Sequence, residues 1–207
     1  MIPQIKICGI RFSEEIQVVN RLEVDYVGFV FAKSKRRITL EQAALLKKKL
    51  RKGIKAVGVF TDMSGEEICK AAEVCNLDIV QLHGNQSDED IKSLPLPVWK
   101  SISMKNPESV HKTRLYPSAC AFVFDTFAKG MEGGTGIPFQ WQWISGLSDT
   151  VSLVLAGGLN PNNIRGAIEI VKPHIVDVSS GVEGNMGKDE KRVIEFIKAV
   201  KTYEYGI

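Results

Sequence analysis

No run of apolar residues in this chain approaches the ~18 that a membrane-spanning helix needs, and no charged-then-apolar leader is visible at its start. A cytoplasmic location is therefore expected. Charge of one sign is also scarce: 27 Lys and Arg against 24 Asp and Glu leave a net charge of +3, without the basic stripe of a nucleic-acid binder. The densest cations lie in "KSKRR" (Lys33 to Arg37) and "KKKLRKGIK" (Lys47 to Lys55), and the second run falls in a helix tail, where positive charge suits the dipole. Only four cysteines occur, at no zinc-ligand spacing; without a secretory leader no disulfides are expected, and apart from Cys8 they read as small buried hydrophobes. Linkers, low-complexity tracts and a second composition regime are missing too, so one domain over residues 1–207 is expected.

What the chain does have is a repeated alternation. Short apolar runs at residues 5–9, 26–31, 55–60, 79–83, 98–102, 121–126, 153–157 and 175–180 read as strands, each followed by a helical stretch. Helix starts are marked by Ser13 as an N-cap before "EEIQVVNRL", by Thr39, and by "SGEEICKAAEVC" after Met63; "KDEKRVIEFIKAVKTY" reads as the closing helix. Eight units of about 26 residues favour an α/β fold, a single-domain (β/α)8 TIM barrel, over a doubly wound sheet, whose glycine-rich turn after the first strand has no counterpart in "CGIRFS".

Alternate side chains of a barrel strand face the interior. Lys6 and Cys8, Gln81 and His83, and Asp177 and Ser179 each share one parity, opposite their strands' Ile, Val and Leu. Barrel chemistry collects at the C-terminal strand ends, where Cys8, His83, Asp125 and Ser179 fall. Closure would make the first and last strands neighbours, giving Lys6 a partner in Asp177; otherwise one of the two must snorkel to solvent. Gly157 and Gly158 after the seventh strand, with Ser179, Ser180 and Gly181 after the eighth, stand where barrels frequently bind phosphate; the plain alternative is that these glycines serve tight turns.

Together the motifs "KICGI", "VGFVFAKSKRRI", "VGVF", "VQLHG", "FDT", "GGTG", "AGGLNPNN" and "VDVSSGVE", in this order and over nearly the whole chain, resemble the phosphoribosylanthranilate isomerase family of tryptophan biosynthesis. The resemblance implies an Amadori rearrangement of a sugar-phosphate substrate, with a cysteine base at Cys8 and an aspartic acid at Asp125. It implies that Arg36, or the adjacent Arg37, holds the anthranilate carboxylate, that His83 shapes the pocket, and that "GGTG" (Gly133 to Gly136) forms a cover. It implies no cofactor and no metal, because the redox exchange is internal. A monomer and a homodimer are both compatible with the sequence. Asp125 would need a raised pKa to serve as an acid near neutrality, whereas the sign of the shift on Cys8 is not readable from the residues.

Two departures from the family pattern flank this site. Arg11 and Phe12 stand where a threonine or similar small polar residue is usual, and "FAKSKRR" is one residue shorter than versions with a proline before the lysine. The competing readings are another sugar-phosphate barrel isomerase or synthase, and a regulatory barrel that binds without turnover. The first would be expected to show a lysine set or paired aspartates at the strand ends, and the second to lack one of the two proton-transfer groups.

Overall fold

The Val-, Ile- and Phe-rich runs form eight parallel strands: β1 (Gln4–Cys8), β2 (Tyr26–Val30), β3 (Lys55–Phe60), β4 (Ile79–Leu82), β5 (Val98–Met104), β6 (Ala121–Thr126), β7 (Leu153–Leu155) and β8 (Ile175–Val178). They close into a barrel in sequence order, with β8 pairing back onto β1. The structure, a computed structural model, describes residues 2–126 and 138–202. The "GGTG" segment lies outside the described residues.

Each strand shows its two parities to different environments. Outward residues such as Ile5, Ile7, Val27, Phe29, Val80 and Phe124 are buried in the large apolar cluster beneath the helices. Inward residues fill the barrel itself: Tyr26, Val57, Ile79, Trp99, Val123 and Val154 belong to a separate cluster, with the Tyr26 and Trp99 rings packed edge to face at 5.1 Å. The barrel is thus a packed core up to the level of Lys6, and open only above it.

Helices α1 (Ser13–Arg21), α2 (Leu40–Lys49), α3 (Gly65–Val74), α4 (Asp88–Ser93), α5 (Ile164–Val171) and α6 (Glu190–Lys201) cover the barrel. Thr39, Ser64, Ser87 and Asp189 cap their helices with side-chain oxygens, as their residue types dictate. Three expectations are corrected here. Ser13 is the first residue of α1, not its cap: Phe12 occupies the cap position and offers no side-chain acceptor to the first turn, while Glu15 Oε2 accepts from the Phe12 amide at 2.9 Å. The closing helix starts at Glu190, which leaves Lys188 in the preceding loop. After β5 and β6 the chain forms 3-10 turns (Pro107–Leu115, Trp141–Ile144, Leu147–Asp149) instead of α-helices. "PESVHKTRL" starts with proline and has only Val110 and Leu115 as apolar residues, too few for a helix-long buried stripe.

The cysteine reading also needs correction. Cys75 is buried as expected, but Cys69 is half-buried and Cys120 is exposed. Cys120 immediately precedes β6, and its thiol donates to Val98 O at 3.2 Å. No helix among the described residues is long and apolar enough to cross a membrane.

Candidate active site

At the floor of the open mouth, Lys6 Nζ donates to Asp177 Oδ2 at 2.6 Å and to Gln81 Oε1 at 2.7 Å, with the lysine fully buried. The β1–β8 register sets Lys6 directly beside Asp177, so strand pairing alone brings the two charges together. Burial presses the ammonium down, but Asp177 and Cys8 more than offset it and the Lys6 pKa is raised. Because Gln81 turns its oxygen to Lys6, its amide NH2 faces His83 Nε2 at 2.6 Å. His83 therefore accepts at Nε2. Burial, together with Lys6 and Lys100, pushes its pKa down to about 3, so it is neutral at physiological pH.

Cys8 ends β1, and its thiol lies against β2. A Cβ on Gly28 would come within 2.6 Å of Cys8 Sγ, so only glycine there leaves room for the sulfur. Gly9, with φ +84, turns the chain away under Arg36, whose Cδ would lie 2.5 Å from any Cβ at that position. Burial pushes the Cys8 thiol above its ordinary 9.0; Asp177 adds to this, while Lys6, Lys188 and Arg36 oppose it. Asp125, near the end of β6, accepts at Oδ1 from the Thr126 amide at 2.7 Å. Burial, then Asp177, pushes its pKa up to about 6, the direction the sequence reading required of an acid.

Arg36 is buried and forks onto Glu183, Nε to Oε1 at 2.5 Å and Nη2 to Oε2 at 3.0 Å. Its neighbour Arg37 is exposed and faces a different hollow, beside Thr39 and Lys70. Burial alone would raise the Glu183 carboxyl, but Arg36 and Lys188 hold it well below the usual carboxylate range. Lys188 Nζ, itself buried, also reaches Ser179 O at 3.0 Å and Ser179 Oγ at 3.2 Å. The unusual Arg11 and Phe12 lie in the loop after β1 and do not line the cleft. Arg11 donates to Lys35 O at 3.0 Å and stacks on the Phe12 ring, tying the loop after β1 to the loop after β2.

One cleft of about 760 Å³, including its open mouth, is lined by Cys8, Arg36, His83, Asp125, Gly157 and Gly158, and also by Ser179 and Ser180. The exception among the expected residues is Gly181. It faces the loop after β7 instead, where a Cβ would come within 1.9 Å of Leu159 O, so it keeps the two loops in contact. Gly157 and Gly158 both have positive φ, +82 and +69. The Ser179 hydroxyl is already committed to Cys8 O at 2.9 Å. Glu183 and Lys188 were missed as site residues at the sequence level. Glu183 stood only as the last residue of "VDVSSGVE", and Lys188 only as a lysine just ahead of the Asp189 cap; neither signal points to a role. Among the described residues no group of three or more His, Cys, Asp or Glu is gathered to hold a metal.

A closed parallel barrel with a thiol, a protonatable carboxylate and a buried guanidinium converging at its C-terminal mouth is the frame of a (β/α)8-barrel enzyme. The sequence model of the family described as N-(5'-phosphoribosyl)anthranilate (PRA) isomerase matches residues 5–199. The chain is 47% identical over 199 residues to an N-(5'-phosphoribosyl)anthranilate isomerase from Thermoanaerobacter pseudethanolicus, covering 96% of this chain and 98% of the relative. It superposes on the crystal structure of the phosphoribosyl anthranilate isomerase of Thermotoga maritima with a TM-score of 0.89 and 36% identity, covering 96% of this chain and 98% of that one. A further isomerase structure, in complex with reduced 1-(o-carboxyphenylamino)-1-deoxyribulose 5-phosphate, gives a TM-score of 0.86 at 35% identity, with the same coverage. The chain belongs to the N-(5'-phosphoribosyl)anthranilate isomerase family and is an isomerase.

Proposed function

We propose that this chain rearranges N-(5-phospho-β-D-ribosyl)anthranilate to 1-(2-carboxyphenylamino)-1-deoxy-D-ribulose 5-phosphate in L-tryptophan biosynthesis, with Asp125 as general acid and Cys8 as general base. The observation that carries the assignment is the placement of these two groups, on β6 and β1, facing one cleft from strands that are not adjacent in the barrel. Asp125 protonates the ring oxygen, and the furanose opens to an imine. Cys8 removes the C2 proton to give the enolamine, and tautomerisation leaves C1 reduced and C2 oxidised. Electrons move only within the substrate.

The remaining groups divide the substrate between them. Arg36 spends Nε and one Nη on Glu183, which leaves Nη1 with no described partner and suited to the anthranilate carboxylate. Backbone amides around Gly157, Gly158 and Ser180 hold the phosphate. Asp177 Oδ1, buried and without a hydrogen-bond partner among the described residues, is an acceptor for a ribose hydroxyl. Neutral His83 closes one wall. A cytoplasmic enzyme, as monomer or homodimer, fits this reading.

Steady-state turnover of phosphoribosylanthranilate, generated in situ and followed by the loss of its fluorescence, tests the assignment; a folded protein that binds this substrate without converting it would overturn it. Arg36→Lys keeps the charge but loses the fork, and is expected to raise KM by roughly tenfold to a hundredfold with a smaller change in kcat, as a charge-assisted hydrogen bond of ~1.5–3 kcal/mol requires. Arg37→Lys should leave KM unchanged. If the two variants behaved the other way round, the carboxylate would belong to Arg37.

A further inference from the structure

Cys8 presents a physical problem. A base must be a thiolate, and the two ionic pairs nearest the sulfur are each already balanced: Lys6 is matched by Asp177, and Arg36 by Glu183. The surplus positive charge in this corner belongs to Lys188, which shares Glu183 with Arg36. Lys35 also reaches Glu183, at 3.2 Å, but it is exposed and screened by solvent. On the far side of the cleft the facing groups are Asp125 and neutral His83.

The hydrogen bonds around Lys188 have a fixed direction. An ammonium only donates, so Ser179 Oγ accepts from Lys188 Nζ at 3.2 Å and turns its single proton to Cys8 O at 2.9 Å. Lys188 is anchored from behind as well. Its amide donates to Glu15 Oε1 at 2.7 Å, and the same carboxylate takes the Phe12 amide, so the loop that follows Cys8 and the loop that carries Lys188 share one anchor. With its side chain 1% exposed, Lys188 cannot swing into solvent without breaking three contacts, to Ser179 O, Ser179 Oγ and Glu183 Oε1.

We propose that Lys188 is the positioning residue for the base: through Ser179 it fixes the Cys8 backbone, and its ammonium supplies the positive charge that the Cys8 thiolate needs. Burial pushes the Lys188 ammonium below its usual pKa and the Cys8 thiol above its own; against this, Glu183 supports the ammonium, and Cys8 and Lys188 each stabilise the charged form of the other. The proposal rests on Cys8 being the base. It can fail separately, because thiol reactivity is read without turnover, whereas the base assignment is tested by turnover of Cys8→Ser.

The experiment is the pH dependence of Cys8 alkylation by iodoacetamide, followed by mass spectrometry of its peptide, with exposed Cys120 as the internal reference. Lys188→Gln should move the Cys8 midpoint upward by about one unit, which means about tenfold less thiolate and about tenfold lower kcat/KM at a fixed pH near neutrality. Lys188→Arg should restore most of both. Glu183→Gln removes the anion that Lys188 shares with Arg36 and should shift the midpoint downward, and the double variant Glu183→Gln/Lys188→Gln, which buries neither charge of that pair, should lose the shift. Ser179→Ala should lower kcat while leaving the midpoint in place. An unmoved midpoint in Lys188→Gln, or an unmoved or raised one in Glu183→Gln, would reduce Lys188 to a loop anchor and overturn the proposal.

Discussion

Asp125→Asn is expected to lower kcat/KM at neutral pH by about 10²- to 10⁴-fold and to erase the break near pH 6 from its pH profile. The sign follows from the order in which the two groups ionise. Burial and Asp177 put Asp125 at about 6, and burial puts Cys8 above 9.0. The working form needs the acid protonated and the base ionised, yet the acid loses its proton first. With the acid ionising well below the base, only a small fraction of the molecules carries both groups in the working form. That fraction stays constant between the two breaks and falls tenfold per unit outside them. The low-pH break thus belongs to Asp125, although Asp125 is the acid. In Asp125→Asn the residual rate should climb without a plateau until Cys8 ionises, and in Cys8→Ser it should be lost by a comparable factor. The substrate phosphate titrates in the same region, at ~6. A break near 6 that survived in Asp125→Asn, with folding confirmed by circular dichroism, would assign it to that phosphate and remove Asp125 from the role of acid.

Lys6→Met should be the most damaging single change to stability, about 3–5 kcal/mol in urea unfolding, because it leaves Asp177 buried without a counter-charge. Asp177 already has one oxygen without a partner among the described residues, so it has no second donor to fall back on. Lys6→Met/Asp177→Leu should recover most of the loss, although it cannot recover activity. If Lys6→Met unfolded within about 1 kcal/mol of the wild type, the ion pair would not be part of what holds the barrel together.

The strands were legible because their Val, Ile and Phe runs are short, frequent and flanked by caps; all eight ran within two residues of where the sequence put them. Coverage of the strands was less legible. Asp88–Ser93 is only six residues long, too short to show a period, and Pro107–Leu115 has the polarity of a helix surface without its apolar stripe. Among site residues, strand parity exposed Lys6, Gln81 and Asp177, since a polar residue repeated on one parity has little reason to be there in a packed wall. Cys8, Asp125 and Arg36 drew their proposed chemistry from the family resemblance; the structure adds that they meet. Glu183 and Lys188 stayed hidden because Glu183 meets its first partner 147 residues away in the chain, and its second across a loop that reads as the start of a helix.

The Lys6–Asp177 pair also bears on how the barrel closes. Seven of its strand pairings join neighbours in sequence, but the eighth must bring the last strand to the first across nearly the whole chain. Hydrophobic strands like these offer little to distinguish one alignment from the next at such a seam. A slip of one residue would turn Asp177 outward into the apolar helix layer and leave Lys6 facing Val176 or Val178. The charge pair that floors the cleft is thereby also the latch that fixes the seam, and the same two residues that complete the wall decide that Cys8 and Ser179 arrive side by side at the mouth.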